Sequence, residues 1–202
     1  MFDRRTLLAM PLALAAAPAL AAPGVAAPGD MSLGNPKAPV KVVEYASLSC
    51  PHCAHFNEAV FPTLKSKYID TGKVHYTLKE YLTEPAQVAA AGFLMARCAG
   101  PAKYFTVVDQ VFRSQSRWKG DLAPIFVEIA NANGLTEDQF KACITDEKAA
   151  EALNARVKTA YEVDKVNSTP TIFVNGKDAG DEGATLPGLE AAIAAALKTG
   201  RR

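Results

Sequence analysis

Ser49-Cys50-Pro51-His52-Cys53 decides how the rest of this 202-residue chain is read. It follows the mostly apolar run Val40 to Leu48, whose only charged residues are Lys41 and Glu44. That run is rich in β-branched residues and predicts a strand covered on both faces. A run with helical spacing begins at or near Pro51, where a missing N–H costs nothing, and carries Phe56, Val60 and Leu64 on one stripe to about Lys67. Two thiols therefore sit where a strand hands over to a helix. Pro62 predicts a kink in that helix. Asp70-Thr71-Gly72 then turns the chain, and Val74 to Leu82 alternates as a second strand, giving a βαβ unit with the cysteines at its crossover.

Upstream, Arg4 and Arg5 precede the apolar run Leu7 to Leu20, which closes on Ala19-Leu20-Ala21, the small-x-small pattern of a signal peptidase site. Residues 1–21 are expected to be a cleaved signal peptide, and the run, broken by Pro11 and Pro18, is too short for a spanning helix. Sec and twin-arginine routes both fit it. The expected destination is periplasmic and oxidising, where disulfides persist. Residues 22–38, rich in Ala, Pro and Gly, are expected to form a tether ending in the turn signal Leu33-Gly34-Asn35-Pro36. With 22 basic and 21 acidic residues and no long block of either sign, no nucleic acid or anionic membrane is expected as a partner.

Downstream of Thr83 the pattern turns helical. Pro85 to Cys98, Ala102 to Gln115, Asp121 to Asn133 and Thr136 to Thr145 carry apolar residues at helical spacing, with breakers at Gly100-Pro101 and Asn133-Gly134. Thr136-Glu137-Asp138-Gln139 has the form of a capping box. A longer helix, Glu147 to about Val166, leads to Thr169-Pro170-Thr171-Ile172-Phe173-Val174, a strand entered through a proline and left through Asn175-Gly176. Lys177 to Ala179 can pair as an edge strand, 180–183 form a loop, and Thr185 caps a last helix carrying Leu189, Ile193 and Leu197.

Cys50-Pro51-His52-Cys53 behind Val42-Val43-Glu44-Tyr45, followed far downstream by Ser168-Thr169-Pro170-Thr171, resembles the DsbA-type thiol:disulfide oxidoreductases of the thioredoxin superfamily. The likeness runs from about Leu33 to Lys198. It implies an α/β, thioredoxin-like fold with an inserted helical domain: residues 39–83 and 147–202 form the thioredoxin-like part and 84–146 the helical block.

A thiol in a first helical turn faces unpaired N–H groups and the positive dipole end, which favour thiolate. The dipole alone contributes roughly 0.3 to 2 kcal/mol, too little for a shift of several pKa units. His52 is the expected additional donor or cation, with the N–H groups of His52 and Cys53 also aimed at the sulfur. A stabilised thiolate at Cys50 makes the Cys50/Cys53 disulfide oxidising. An exposed Cys50 then takes the attack of a client thiolate, while Cys53, one turn inward, is the buried partner. An inert staple is the bland alternative, but cysteines three apart close almost no loop. A metal site is the other. Cys50, His52, Cys53 and His55 are all donors, yet no second CxxC or HxxxH pair completes a zinc set. Haem attachment would need histidine where Ala54 stands. No metal and no cofactor are expected.

Glu44, six residues before Cys50, is costly inside an apolar strand unless paired or neutral. The resemblance gives it a proton-relay role toward the buried cysteine. Lys79 is its expected partner unless the register turns Glu80 inward. The resemblance also makes Pro170 cis, lying against the cysteines, with the backbone of Thr169 free to pair with an extended substrate. For Cys98 and Cys143, both on predicted helices of an exported chain, a structural disulfide and two buried free thiols are the alternatives, and the bridge is expected. The implied activity is a monomeric oxidase of reduced, unfolded client proteins, reoxidised by a DsbB-like quinone-linked membrane protein. An isomerase or reductase of the same superfamily, or a metal-binding or non-catalytic chaperone module, are the rivals.

Overall fold

The computed structural model describes residues 23–199, so the signal-peptide expectation for residues 1–21, like Arg201 and Arg202, lies outside the described residues. At the centre is strand β2 (Val40–Ala46), buried along almost its whole length. A strand so apolar needs cover on both faces and a neighbour on both edges. It has both. With β1 (Met31–Leu33), β3 (Val74–Glu80), β4 (Thr171–Val174) and β5 (Lys177–Asp178), the order across the sheet is β1-β3-β2-β4-β5. Strand β2 runs parallel to β3 and antiparallel to β4, pairing Val42 with both Tyr76 and Val174.

Strand β1 corrects the reading of 22–38 as a tether. Met31 to Leu33 pair antiparallel with β3, register Met31 to Leu78, and so cover what would be an open edge. The segment before it is strapped to the back of the sheet. Gly24, at φ +69°, donates its N–H to the Tyr45 hydroxyl at 3.1 Å, and a Cβ there would lie 2.4 Å from the Phe173 side chain. Only glycine fits. A three-residue strand flanked by Pro and Gly has too little alternation to be read from sequence.

The helix after the cysteines is interrupted where Pro62 predicts a kink, with Val60 still helical in backbone and bonded to the Phe56 carbonyl. Helix α1 (Pro51–Ala59) stops at Val60, α2 (Phe61–Leu64) restarts, and a π-helical turn carries the chain on to Ile69. The break falls before Pro62 because a proline is tolerated in a first turn, where its missing N–H would have no partner.

Between β3 and α7 (Glu147–Glu162) lie α3 (Ala86–Cys98), α4 (Tyr104–Ser114), α5 (Ala123–Ala132) and α6 (Glu137–Ile144). Thr136 and Gln139 form the capping box reciprocally, at 3.2 and 2.8 Å. Asp146 caps α7 by accepting from the Ala149 N–H at 3.1 Å. That helix ends at Glu162, short of Val166, and Lys165 stands at φ +58° as the chain turns toward the site. Gly92 brings α3 onto the motif, since a Cβ there would lie 2.7 Å from Leu48 Cδ1. The chain finishes with the Asn175-Gly176 turn, a 3₁₀ turn at Asp181–Ala184 in the stretch expected as loop, and α8 (Leu186–Thr199), capped by Thr185 through the Gly188 N–H. Among the described residues no helix is long and apolar enough to cross a membrane.

Candidate active site

Cys50 is the N-cap of α1, with extended backbone at φ −82° and ψ 121°, and Pro51 occupies the first helical turn. The loop leading in is held from two directions. The Ser47 hydroxyl accepts from the Thr83 N–H at 3.0 Å, and Ser49 donates to the Thr83 carbonyl at 2.8 Å. From the helical block, Gln115 Nε2 donates to the carbonyls of Leu48 and Cys50 at 2.8 and 3.3 Å. Sequence reading missed Gln115, which lies beyond the end of a helix 65 residues away and carries no local signal.

The two thiols are reduced and differ in setting. Cys53 has no exposed surface, as its inward position requires. Cys50 is only 7% exposed, less open than expected, because the chain at Thr169 packs over its sulfur. The Thr169–Pro170 peptide is cis. The protonated Cys50 thiol donates to the Thr169 carbonyl at 3.3 Å. The Thr169 hydroxyl is buried with no partner among the described residues, so it is available to a thiolate once that proton leaves.

The electrostatics separate the two sulfurs. Donation from the Cys53 thiol is the largest influence on Cys50 and, with the Thr169 side chain and the N–H groups of Cys53 and His52, outweighs burial and brings Cys50 down to about 5. Burial drives Cys53 well above its ordinary value, reinforced by its hydrogen bond to Cys50 and by the charge of Glu44. The first gives up its proton readily and the second keeps it. His52 contributes its main-chain N–H, while the residue itself is exposed.

Glu44 is 2% exposed beneath this pair, and burial raises its carboxyl to about 8. Its hydrogen-bond partner is Tyr76, whose hydroxyl donates to Oε2 at 2.5 Å. Lys79 is not that partner. The register sets Lys79 beside Tyr45, on the opposite face of the sheet, where it meets Asp164 at 3.1 Å and Asp30 at 3.9 Å. Glu80 does turn to the Glu44 side, but it is held by Arg97 at 2.5 Å, Arg156 at 2.7 Å and the Tyr104 hydroxyl at 3.0 Å. Tyr76 was invisible as a partner because the pairing of β2 with β3 had to be known first.

Cys98 at the end of α3 and Cys143 in α6 are joined by a disulfide, Cα to Cα 6.0 Å, closing a separation of 45 residues. No group of three or more His, Cys, Asp or Glu able to hold a metal is found among the described residues.

A thioredoxin family model matches residues 26–195. A chain of Rickettsia bellii described as a protein-disulfide oxidoreductase is 34% identical over 172 residues, 84% of this chain and 65% of that one. The chain spans between 54 and 65% of the length of such Rickettsia relatives. Disulfide bond formation protein D of Bacillus subtilis is 27% identical over 157 residues, 72% of this chain and 67% of that one. The crystal structure of Wolbachia pipientis alpha-DsbA1 superposes with a TM-score of 0.76 at 28% identity, covering 87% of this chain and 94% of that one. With the family model running from the strap before β1 into α8, and a DsbA backbone following nearly the same course, the chain belongs to the thioredoxin family and is of the DsbA type.

Proposed function

We propose that this chain is an exported thiol:disulfide oxidoreductase that passes its Cys50/Cys53 disulfide to reduced, newly translocated proteins. The carrying observation is the split between the two sulfurs, Cys50 brought down to about 5 and Cys53 driven up. A stabilised Cys50 thiolate favours the reduced enzyme, which makes the disulfide a strong oxidant. A client thiolate attacks Cys50 Sγ, the Cys50–Cys53 bond breaks, and Cys53 leaves as thiolate and takes a proton. A second client thiolate attacks the client sulfur of the mixed disulfide and expels Cys50, a good leaving group because its pKa is low. The client loses two electrons and the enzyme gains them.

In this proposal Thr169 and Pro170 form the opposing wall of the substrate groove, Pro51 and His52 shape the helix start that stabilises the thiolate, and Glu44 handles the Cys53 proton. Cys98 and Cys143 serve stability. Residues 39–83 with 147–202 act as the exchange unit and 84–146 as the block that buttresses it. The protein works as a periplasmic monomer and is reoxidised by a DsbB-like quinone-linked membrane protein. Support for the oxidising direction comes from the thiolate, and for the class of reaction from the relatives' descriptions.

The test is the equilibrium of Cys50/Cys53 with glutathione redox buffers, followed by mass after acid quench and alkylation. An oxidase requires a pair that stays reduced in buffers well above thioredoxin's poise, about −270 mV. A potential near that of thioredoxin would overturn the oxidising direction.

A further inference from the structure

We propose that Tyr76 is a positioning residue for disulfide exchange: by donating its hydroxyl proton to Glu44 Oε2, it leaves Oε1 as the oxygen that carries and releases the carboxyl proton.

The geometry comes from strand register. In the parallel pair Val42 faces Tyr76 and Glu44 faces Leu78, so the Tyr76 and Glu44 side chains rise from the same side of the sheet, one pair apart. Tyr76 is 1% exposed and its ring is fixed between Phe61 and Phe105, at centroid distances of 5.0 and 6.0 Å. The phenol cannot swing away, and its O–H reaches Oε2 at 2.5 Å. No other hydrogen bond reaches Glu44 among the described residues.

The charged surroundings leave the carboxyl to this one donor. From α1 the groups bearing on it are Cys50 and Cys53. From α4, Tyr104 lies beyond Tyr76, tied to Glu80. Glu80 is neutralised by Arg97 and Arg156, and Lys79 faces the other side of the sheet. A carboxylic acid has one proton and two oxygens. An O–H donated into Oε2 makes that oxygen an acceptor, so the acid proton resides on Oε1.

Resting on the exchange activity proposed above, the consequence is a proton step with an assigned origin. When a client thiolate attacks Cys50 Sγ, the Cys50–Cys53 bond breaks and Cys53 departs with its electron pair at a buried position. Neutral Glu44 releases the Oε1 proton, which reaches Cys53 through a bridging water because no hydrogen bond joins the two side chains, and Glu44 becomes carboxylate as Cys53 becomes thiol. The Tyr76 O–H then stabilises the carboxylate until solvent returns a proton.

Tyr76→Phe keeps the ring between Phe61 and Phe105 and deletes the donor. The readout is the titration midpoint of Glu44, from its infrared carboxyl band identified by difference against Glu44→Gln. Losing a hydrogen bond to a charged group should raise that midpoint by about one pH unit or more. The pH at which reduction of Cys50–Cys53 by a small dithiol changes slope should rise with it, while the alkylation midpoint of Cys50 stays put. In the Glu44→Gln background, Tyr76→Phe should change nothing further. An unmoved Glu44 midpoint, or an equal loss of rate with and without Glu44, would overturn the proposal. Should Tyr76→Phe not fold, fluorotyrosine at position 76, a more acidic donor, should lower the midpoint, and no change would overturn it equally. An unaltered protein whose cysteines do not exchange with the dithiol at all would overturn the activity and this role together; exchange with an unmoved midpoint removes only Tyr76.

Discussion

At the scale of single residues, the reactive cysteine is set by donors that one substitution can remove. Cys50 should show a thiolate absorbance midpoint near pH 5 in the reduced protein, far below that of an ordinary thiol. Thr169→Val takes away the buried hydroxyl with no other partner, so the midpoint should move up toward the ordinary value while the fold is kept. A midpoint unchanged in this variant would mean that the remaining N–H donors suffice. His52→Ala separates ring from backbone. Only the His52 N–H is among the groups lowering Cys50, so most of the shift should survive the loss of the ring.

Elements carry the next level, because charges inside this molecule are tied down between helices and strands. Glu80 on β3 has a fully buried side chain and joins Arg97 of α3 to Arg156 of α7. Glu80→Ala would leave two guanidinium groups without their carboxylate, which should cost about 3 to 5 kcal/mol in chemical denaturation. Legibility also divides at this level. The strand into the cysteines, the capping box at Thr136 and the Asn175-Gly176 turn are local chemistry, readable because each signal lies within a few residues. Strand β1, the break at Val60 and the Tyr76–Glu44 contact depend on what lies across the sheet or beneath the helix, which no local pattern encodes. Lys79 shows the difference well. It is the right charge on the right strand, but a register one residue away from the one it needed puts it on the wrong face.

For the molecule as a whole, the redox state of one pair alters the stability of everything else. The folded pKa of Cys50 lies below its unfolded value, so the thiolate's stabilisation is complete above about 9 and disappears as pH falls through about 5. Cys53, raised well above 9.0, stays protonated across that window. The reduced protein should therefore melt above the oxidised one at pH 7, the gap widening toward pH 9 and closing near pH 5 in paired calorimetric scans. Glu44 acts oppositely, its contribution falling as pH rises toward about 8, but it is present in both redox states. Replacing Cys98 and Cys143 by alanine should lower stability by about 2 to 4 kcal/mol, read from denaturant midpoints. The sheet order has one more consequence, for a chain synthesised from its N-terminus. Strand β2 takes β4 as its second neighbour, Val42 against Val174, and the cis Thr169–Pro170 wall comes with β4. Thr169 lies 119 residues beyond Cys50, so an emerging chain carries the two cysteines on their helix before the segment that packs over the Cys50 sulfur has been made.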